Sequence, residues 1–282
     1  MTEAVQKEIA GPEIEKILGQ AIIIPPQPKV LLEIEQLAGQ DQVNVKAIAN
    51  LISRDPGLLA GVFKVVNSPA MGLSRRIDSA ESAISVLGIK QLTNVLKGLA
   101  LRQVLGGRSS AYEKFWGRSG DIAQIAALVA ARQVSVCNVF PDQAYMAGLF
   151  HDCGLPVLMQ RFPGYCESLG ESDVWPDLAR EDRTFDTDHS VVGYLVSKHW
   201  RLPEFIQHGI RFHHEILSVV HPARTVVALL LVSTHIYNRK MKRSDEREWE
   251  TSWVDALDEL GISRDGVHEF VEDVIEDFSA AR

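Results

Sequence analysis

His151 and Asp152 stand side by side in the run Ala147-Gly148-Leu149-Phe150-His151-Asp152-Cys153-Gly154, and His189 and the pair His213-His214 follow downstream. Neutral imidazole and ionised carboxylate are the side chains that bind divalent ions such as zinc, iron, manganese or magnesium, provided that they point into one cavity and are oriented by further hydrogen bonds. Adjacent residues on an α-helix diverge by about a hundred degrees. His151 and Asp152 can therefore share an ion only at a helix end or a bend, and Gly154 and Pro156 supply such an irregularity. His151, Asp152, His189 and His213 form the candidate metal set, with His214 as a further cavity residue. The competing expectation is a network of hydrogen-bonded histidines that stabilises the core without metal. His199, His208, His221 and His268 read as surface or packing residues.

Helices must position these groups. Apolar residues recur at helical spacing along almost the whole chain and no useful β-alternation interrupts them, so the fold class is all-α. Ile9 to Leu18 predicts a short amphipathic helix. Ile24-Pro25-Pro26-Gln27-Pro28 predicts an extended connector, and a helix should begin near Lys29. Asn44 caps a helix containing Val45, Ile48 and Ile52. Asp55-Pro56 combines an acidic cap with proline at the first helical position, and that helix should stop at Asn67-Ser68-Pro69. Asp55 and Asn67 thus read as cap and turn residues. Ala80 to Leu87 should end at Gly88 as a left-handed cap, and Lys90 to Leu105 should run to Gly106-Gly107.

After that glycine pair, Ser109 to Val136 is one long apolar-periodic segment, and Pro141-Asp142 opens the helix expected to carry His151-Asp152. Asp188 should cap the helix beginning at His189, Pro203 and Pro222 fall in first turns, and Trp253 to Phe278 makes one or two amphipathic helices. The division this suggests is an N-terminal helical part at 1–107, a helical core at 108–245 and a C-terminal helical extension at 246–282.

Composition narrows the function classes. The chain has 282 residues, 46% hydrophobic and 23% charged, and a mean hydropathy of -0.01, which is ordinary for a globular protein. A net charge of -8 argues against a broad nucleic-acid footprint. The local basic spots at Arg75-Arg76 and from Arg239 to Arg243 read as solvated surface. No apolar run approaches the roughly 20 residues that span a bilayer, Val226 to Val232 being the longest, and Met1 to Gly11 has no signal-peptide apolar segment. A cytoplasmic location is expected. Cys137, Cys153 and Cys166 lack the spacing of a disulfide framework or thiolate zinc site, and Cys153 reads as small apolar filler.

The order of the histidine motifs resembles the HD phosphohydrolase superfamily, whose helical core sets a His, an HD pair and a distant Asp around a divalent metal. A closer resemblance is to the HDOD domain, an HD-related output domain of bacterial signalling proteins. It rests on Ile24-Pro25-Pro26-Gln27-Pro28, Ile52-Ser53-Arg54-Asp55-Pro56-Gly57-Leu58, Val66-Asn67-Ser68-Pro69-Ala70 and Ala83-Ile84-Ser85-Val86-Leu87-Gly88. The second half adds Gly148-Leu149-Phe150-His151-Asp152, Asp188-His189-Ser190-Val191-Val192-Gly193, and Trp200-Arg201-Leu202-Pro203 through His213-His214. The likeness spans about residues 20 to 240 and implies a multi-helical bundle with an HD-like core and an N-terminal helical subdomain.

The same resemblance implies a first histidine where Phe115-Trp116-Gly117-Arg118-Ser119 offers Arg118, and a final aspartate where Leu231-Val232-Ser233-Thr234-His235 offers Thr234. Neither substitute is a good ligand. A register shift of one would make His235 a candidate. Arg118 could instead pair with Asp152 and supply charge compensation that a metal gives elsewhere. The expectation is therefore a non-catalytic signal-transduction module working through other signalling proteins, leaning away from enzyme, with no cofactor expected and a divalent Mn, Fe, Mg or Zn as the alternative. A metal-dependent phosphohydrolase or cyclic-dinucleotide phosphodiesterase is the alternative function, although no Gly-Tyr-Pro follows His213-His214-Glu215. A receptor for a small nucleotide is the third, with the helix start at His189 as a phosphate seat. A homo-oligomer is compatible with all three.

Overall fold

Side-chain caps set the helix starts. Asn44 Oδ1 accepts from Ala47 N at 3.0 Å and opens α2, Val45–Ser53, while Asp55 Oδ1 accepts from Leu58 N at 2.9 Å and opens α3, Pro56–Val66. Each satisfies an amide that the helix itself leaves unpaired. With α1, Lys29–Ala38, α4, Ala80–Leu87, and α5, Ile89–Val104, these form the N-terminal part. The computed structural model describes residues 22–73, 75–107, 109–162, 164–165, 175–244 and 247–280, and the helix expected at Ile9 to Leu18 lies outside them.

Asn67 ends α3 as expected and also ties down the following loop. Its Nδ2 donates to Phe63 O at 2.9 Å and to Ile77 O at 2.8 Å, and its Oδ1 accepts from Ile77 N at 2.7 Å. Gly88 differs from expectation. Its φ of 76° is positive, but its ψ of 162° is extended rather than left-handed helical, because one glycine must both end α4 and begin α5.

The long helix α6, Ser110–Cys137, runs through the middle of the second part and packs against α7, Pro141–Phe150. Small residues permit the close approach: a Cβ on Gly148 would lie 2.5 Å from the Ala123 Cα. Two helices follow, α8, Gly154–Arg161, and α9, Leu178–Phe185. Then come α10, His189–His199, α11, Glu204–Arg211, and α12, Ala223–Met241. The segment from Trp253 to Phe278 belongs to two helices, α13, Arg247–Leu260, and α14, Val267–Ala280. α12 packs on both α6 and α13, and α10 on both α8 and α11. No strand occurs among the described residues, and none of their helices is long and apolar enough to cross a membrane.

One connected set of buried apolar side chains runs from Ile22 to Phe278 and spans Gly106-Gly107. The proline connector joins the two sides. The fully buried Trp200 donates from Nε1 to Pro25 O at 2.9 Å, and Gln27 Nε2 donates to Trp200 O at 2.9 Å. Lys97 on α5 adds a second tie, pairing with Glu35 at 2.8 Å and donating to Arg201 O at 3.0 Å. Trp200→Phe removes one of these hydrogen bonds while keeping most of the apolar volume. A loss of about 1 kcal/mol in urea unfolding is expected.

Candidate metal centre

His151 and Asp152 do not lie inside the helix expected to carry them. α7 ends at Phe150, His151 is its C-cap, and Asp152 and Cys153 form the turn into α8. Cys153 is fully buried, in keeping with a filler role. A Cβ on Gly154 would lie only 2.0 Å from the His189 carbonyl oxygen and 2.9 Å from Gly193 N. That glycine is therefore what lets the start of α10 sit against the HD turn. Asp188 caps α10 by accepting from Ser190 N and Val191 N, which fixes His189 at the first helical position. His213 and His214 occupy the turn after α11, and α13 supplies Glu248 and Trp249 from the other side.

Asp152, 1% exposed, has two oxygens with different surroundings. Oδ2 accepts from Arg118 Nη1 at 2.8 Å and Trp175 Nε1 at 2.7 Å, and His151 Nε2 stands 2.9 Å away. The Arg118 guanidinium also lies over the Trp175 ring, 4.1 Å from its centroid, a favourable place for a weakly hydrated cation. Burial alone would push the Asp152 carboxyl up, but His151, His213 and Arg118 together hold it well below the usual carboxylate range. It is an anion at neutral pH, and its pairing with Arg118 is the contact expected from the two residue types.

Oδ1 faces a different set: His213 Nε2 at 3.2 Å and His189 Nε2 at 3.4 Å, with His214 Nε2 2.9 Å from His189 Nε2. Each of these imidazoles has its other nitrogen committed to an acceptor. His189 Nδ1 meets Glu181 Oε2 at 2.6 Å, His213 Nδ1 meets Ile210 O at 2.7 Å, and His214 Nδ1 meets Glu248 Oε1 at 2.5 Å. Acceptors require the hydrogen on Nδ1, which leaves three Nε2 lone pairs converging on a carboxylate oxygen. Lone pairs at such distances repel unless a cation lies among them.

That cation is either a proton or a metal ion. Asp152, His189, His213 and His214 each offer a ligand atom, all within 4.8 Å of one another, and the Nδ1 partners are the hydrogen bonds that orient histidine ligands in metal sites. The residues fit a divalent ion. Three imidazoles and one carboxylate suit zinc or iron, whereas magnesium prefers oxygen donors. For the proton, burial opposes charge on His189 but Glu181 outweighs it and raises the imidazole to about 9. Burial lowers both His151 and His213.

A pH dependence follows for protein stripped of metal. The folded value of His189 lies above its ordinary 6.5, so its contribution to stability is complete below that value and is lost as pH rises towards 9. Urea midpoints are expected to fall between pH 6.5 and 9 in wild type and to flatten in Glu181→Gln.

The converging set takes His214 in place of His151, which had been expected among the ligands. His151 Nδ1 is held by Gly148 O at 2.7 Å and its Nε2 faces Oδ2 and Arg118, so it orients Asp152 rather than meeting Oδ1. Thr234 lines the same cavity. His235, the alternative register, stacks on Trp249 with ring centroids 3.9 Å apart and 9° between planes. Arg243, read as solvated surface, lines the cavity instead, with its guanidinium 5.8 Å from the Tyr237 ring centroid.

The phosphate seat at the start of α10 is already filled: His189 N donates to Glu181 Oε2 at 2.8 Å, and Asp188 takes the next two amides. The cavity itself measures about 60 Å³, far below the few hundred Å³ of a typical small-molecule site. Sequence reasoning missed Glu181, Trp175, Glu248 and the steric role of Gly154. None sits at a telling spacing from the histidines.

Comparison with known proteins gives three kinds of likeness. The HDOD domain model matches residues 24–216. A protein of Treponema pallidum without an assigned role is 28% identical over 199 residues, covering 68% of this chain but 38% of that protein; the chain spans about two fifths of its length. Among solved structures, an HDOD domain protein of unknown function from Geobacter sulfurreducens is 26% identical with a TM-score of 0.66, covering 96% of each chain. A candidate metal-dependent phosphohydrolase from Shewanella amazonensis has a TM-score of 0.73 at 16% identity, covering 95% of each chain. The last likeness establishes the fold alone.

Proposed function

We propose, for a chain that belongs to the HDOD domain family, the role of a non-catalytic signal-transduction module that acts through contact with other signalling proteins. The carrying observation is the Arg118–Asp152 pair at 2.8 Å. A permanent cation occupies the side of the carboxylate facing α6, where the wider superfamily resemblance calls for a histidine ligand. Thr234 stands where that resemblance calls for an aspartate. What is left on the Oδ1 side is a single set of donors, and one of them, His214, is fastened to Glu248 on α13.

In this reading, Asp152, His189, His213 and His214 hold at most one divalent ion, which would supply charge neutralisation and clasp the turn after α11 to the HD turn. Glu181 and Glu248 orient the imidazoles, and Arg118 with Trp175 fixes the carboxylate. Equilibrium dialysis against zinc followed by elemental analysis tests this. At most one ion per chain, lost in His214→Ala and retained in His151→Ala, is expected. Two ions per chain, as a two-metal hydrolase would need, would overturn it.

One observation favours a second reading. The oriented histidine cluster is also the equipment of a metal-dependent phosphohydrolase, the activity in the name of the Shewanella neighbour. The small cavity weighs against a cyclic dinucleotide as its substrate.

A further inference from the structure

Arg247, Glu248 and Trp249, the first turn of α13, line the histidine cavity together with Asp152, His213 and His214. The helix is anchored at its other end. Its buried residues are Ala256, Leu257 and Leu260, all in its second half, while Trp249 and Trp253 are partly buried against the core. A half-helix with little buried apolar surface opens locally at a smaller free-energy cost than the core does. α13 also lies past residue 216, where the family match ends.

Polar and ring contacts seat that first half. Glu248 Oε1 accepts from His214 Nδ1 at 2.5 Å, Trp249 stacks on His235 with ring centroids 3.9 Å apart, and Arg247 reaches Asp177, the cap of α9, at 3.6 Å. The last pair is largely exposed and contributes little. The first is different, because His214 also carries one of the four donor atoms of the cluster. Asp152, His189 and His213 are buried, whereas His214 is partly exposed. It is the donor that stands between the cluster and α13.

An ion on the cluster strengthens this contact. Bound to Nε2 of His214, it withdraws charge from the imidazole, so that the Nδ1 hydrogen becomes a stronger donor to a carboxylate. A divalent ion also adds two positive charges to a cluster in which Asp152 is already paired with Arg118 at 2.8 Å. Glu181 and Glu248 are the carboxylates joined to the other nitrogens of His189 and His214. Glu181 is 2% exposed in the core, so Glu248 is the one carried by an element that can move.

We propose that the first two turns of α13 are a lid held shut by the ion, which through His214 draws Glu248 and Trp249 onto the cavity, and that loss of the ion lets residues 247–253 open. The inference rests on the cluster holding a single ion and adds what that ion controls. Coupling of this kind is reciprocal, so whatever pulls α13 away weakens ion binding by the same factor. A signalling protein that engages this half-helix would thereby read the ion or release it.

Amide hydrogen exchange of the full chain, in EDTA and with one equivalent of zinc, tests the lid at times short against global unfolding. Zinc is expected to slow residues 247–253 by about tenfold and to leave 256–260 and α14 unchanged. In Glu248→Gln, zinc should bind more weakly and the slowing should disappear. Trp249→Ala alters no donor of the ion and should nonetheless weaken zinc binding by about fivefold, whereas Glu250→Gln, at an exposed position, should leave it unchanged. The lid is overturned, with the single-ion reading intact, if one zinc binds per chain and exchange in 247–253 does not change, if the slowing persists in Glu248→Gln, or if Trp249→Ala binds zinc as tightly as wild type. Absence of zinc binding overturns the lid, and two ions per chain overturn the single-ion reading and the lid with it.

Discussion

Asp152→Ala is expected to lower the unfolding free energy by about 3–5 kcal/mol, the range seen when one partner of a buried ion pair is removed. Three charge or donor contacts end on its Oδ2, and Arg118 is itself 6% exposed. Without the carboxylate that guanidinium loses its nearest anion and is left with the Trp175 and Tyr237 rings, 4.1 and 5.7 Å from their centroids, His151 Nε2 at 3.5 Å and the weaker attraction of Glu248. The destabilisation therefore comes mainly from a stranded cation rather than from a lost attraction. Removing both charges separates these terms. Arg118→Met with Asp152→Leu should recover more than half of the loss in urea unfolding. A double variant no more stable than Asp152→Ala would show that the Arg118 charge is not what the carboxylate compensates.

Gly154→Ala is the second large effect. The added Cβ would lie 2.0 Å from a backbone oxygen of His189, and backbone cannot yield as a flexible side chain can. α8 and α10 must separate, at a cost near the top of the range for overpacking, about 3 kcal/mol. Because the displaced residue is His189, zinc affinity should fall in the fraction that remains folded. Gly117→Ala is the contrasting substitution on a helix with open space around it. It should raise stability by about 0.5–1 kcal/mol through helix propensity, so a stabilised Gly154→Ala would contradict the close approach of the two helices.

The all-α class and most helix boundaries were legible because their determinants are local. Asn44, Asp55 and Asp188 each satisfy amides two or three residues away, and proline marks the starts of α3 and α7. The residue types of the site were legible for a related reason, since imidazole beside carboxylate has few chemical uses. Their division of labour was not. His151 and Asp152 are neighbours in a turn, so as Asp152 presents Oδ1 to the cluster His151 is left on the Oδ2 side, whereas His213 and His214 lie beyond the end of α11 and both reach inward. Glu181 and Glu248 are joined to the histidines only by the tertiary fold, eight and thirty-four residues away from their partners, and no periodicity could announce them. The steric demand at Gly154 likewise depends on a helix that begins thirty-five residues later.

The central claim is that the Asp152 cluster is oriented for charge compensation and not for turnover. Steady-state hydrolysis of bis-p-nitrophenyl phosphate with manganese, wild type against His213→Ala, tests it most directly. His213 contributes to the donor set of any catalytic ion that Asp152 could bind on its Oδ1 side. Rates indistinguishable between the two proteins are the predicted result. A wild-type rate well above background that collapses in His213→Ala would contradict the account.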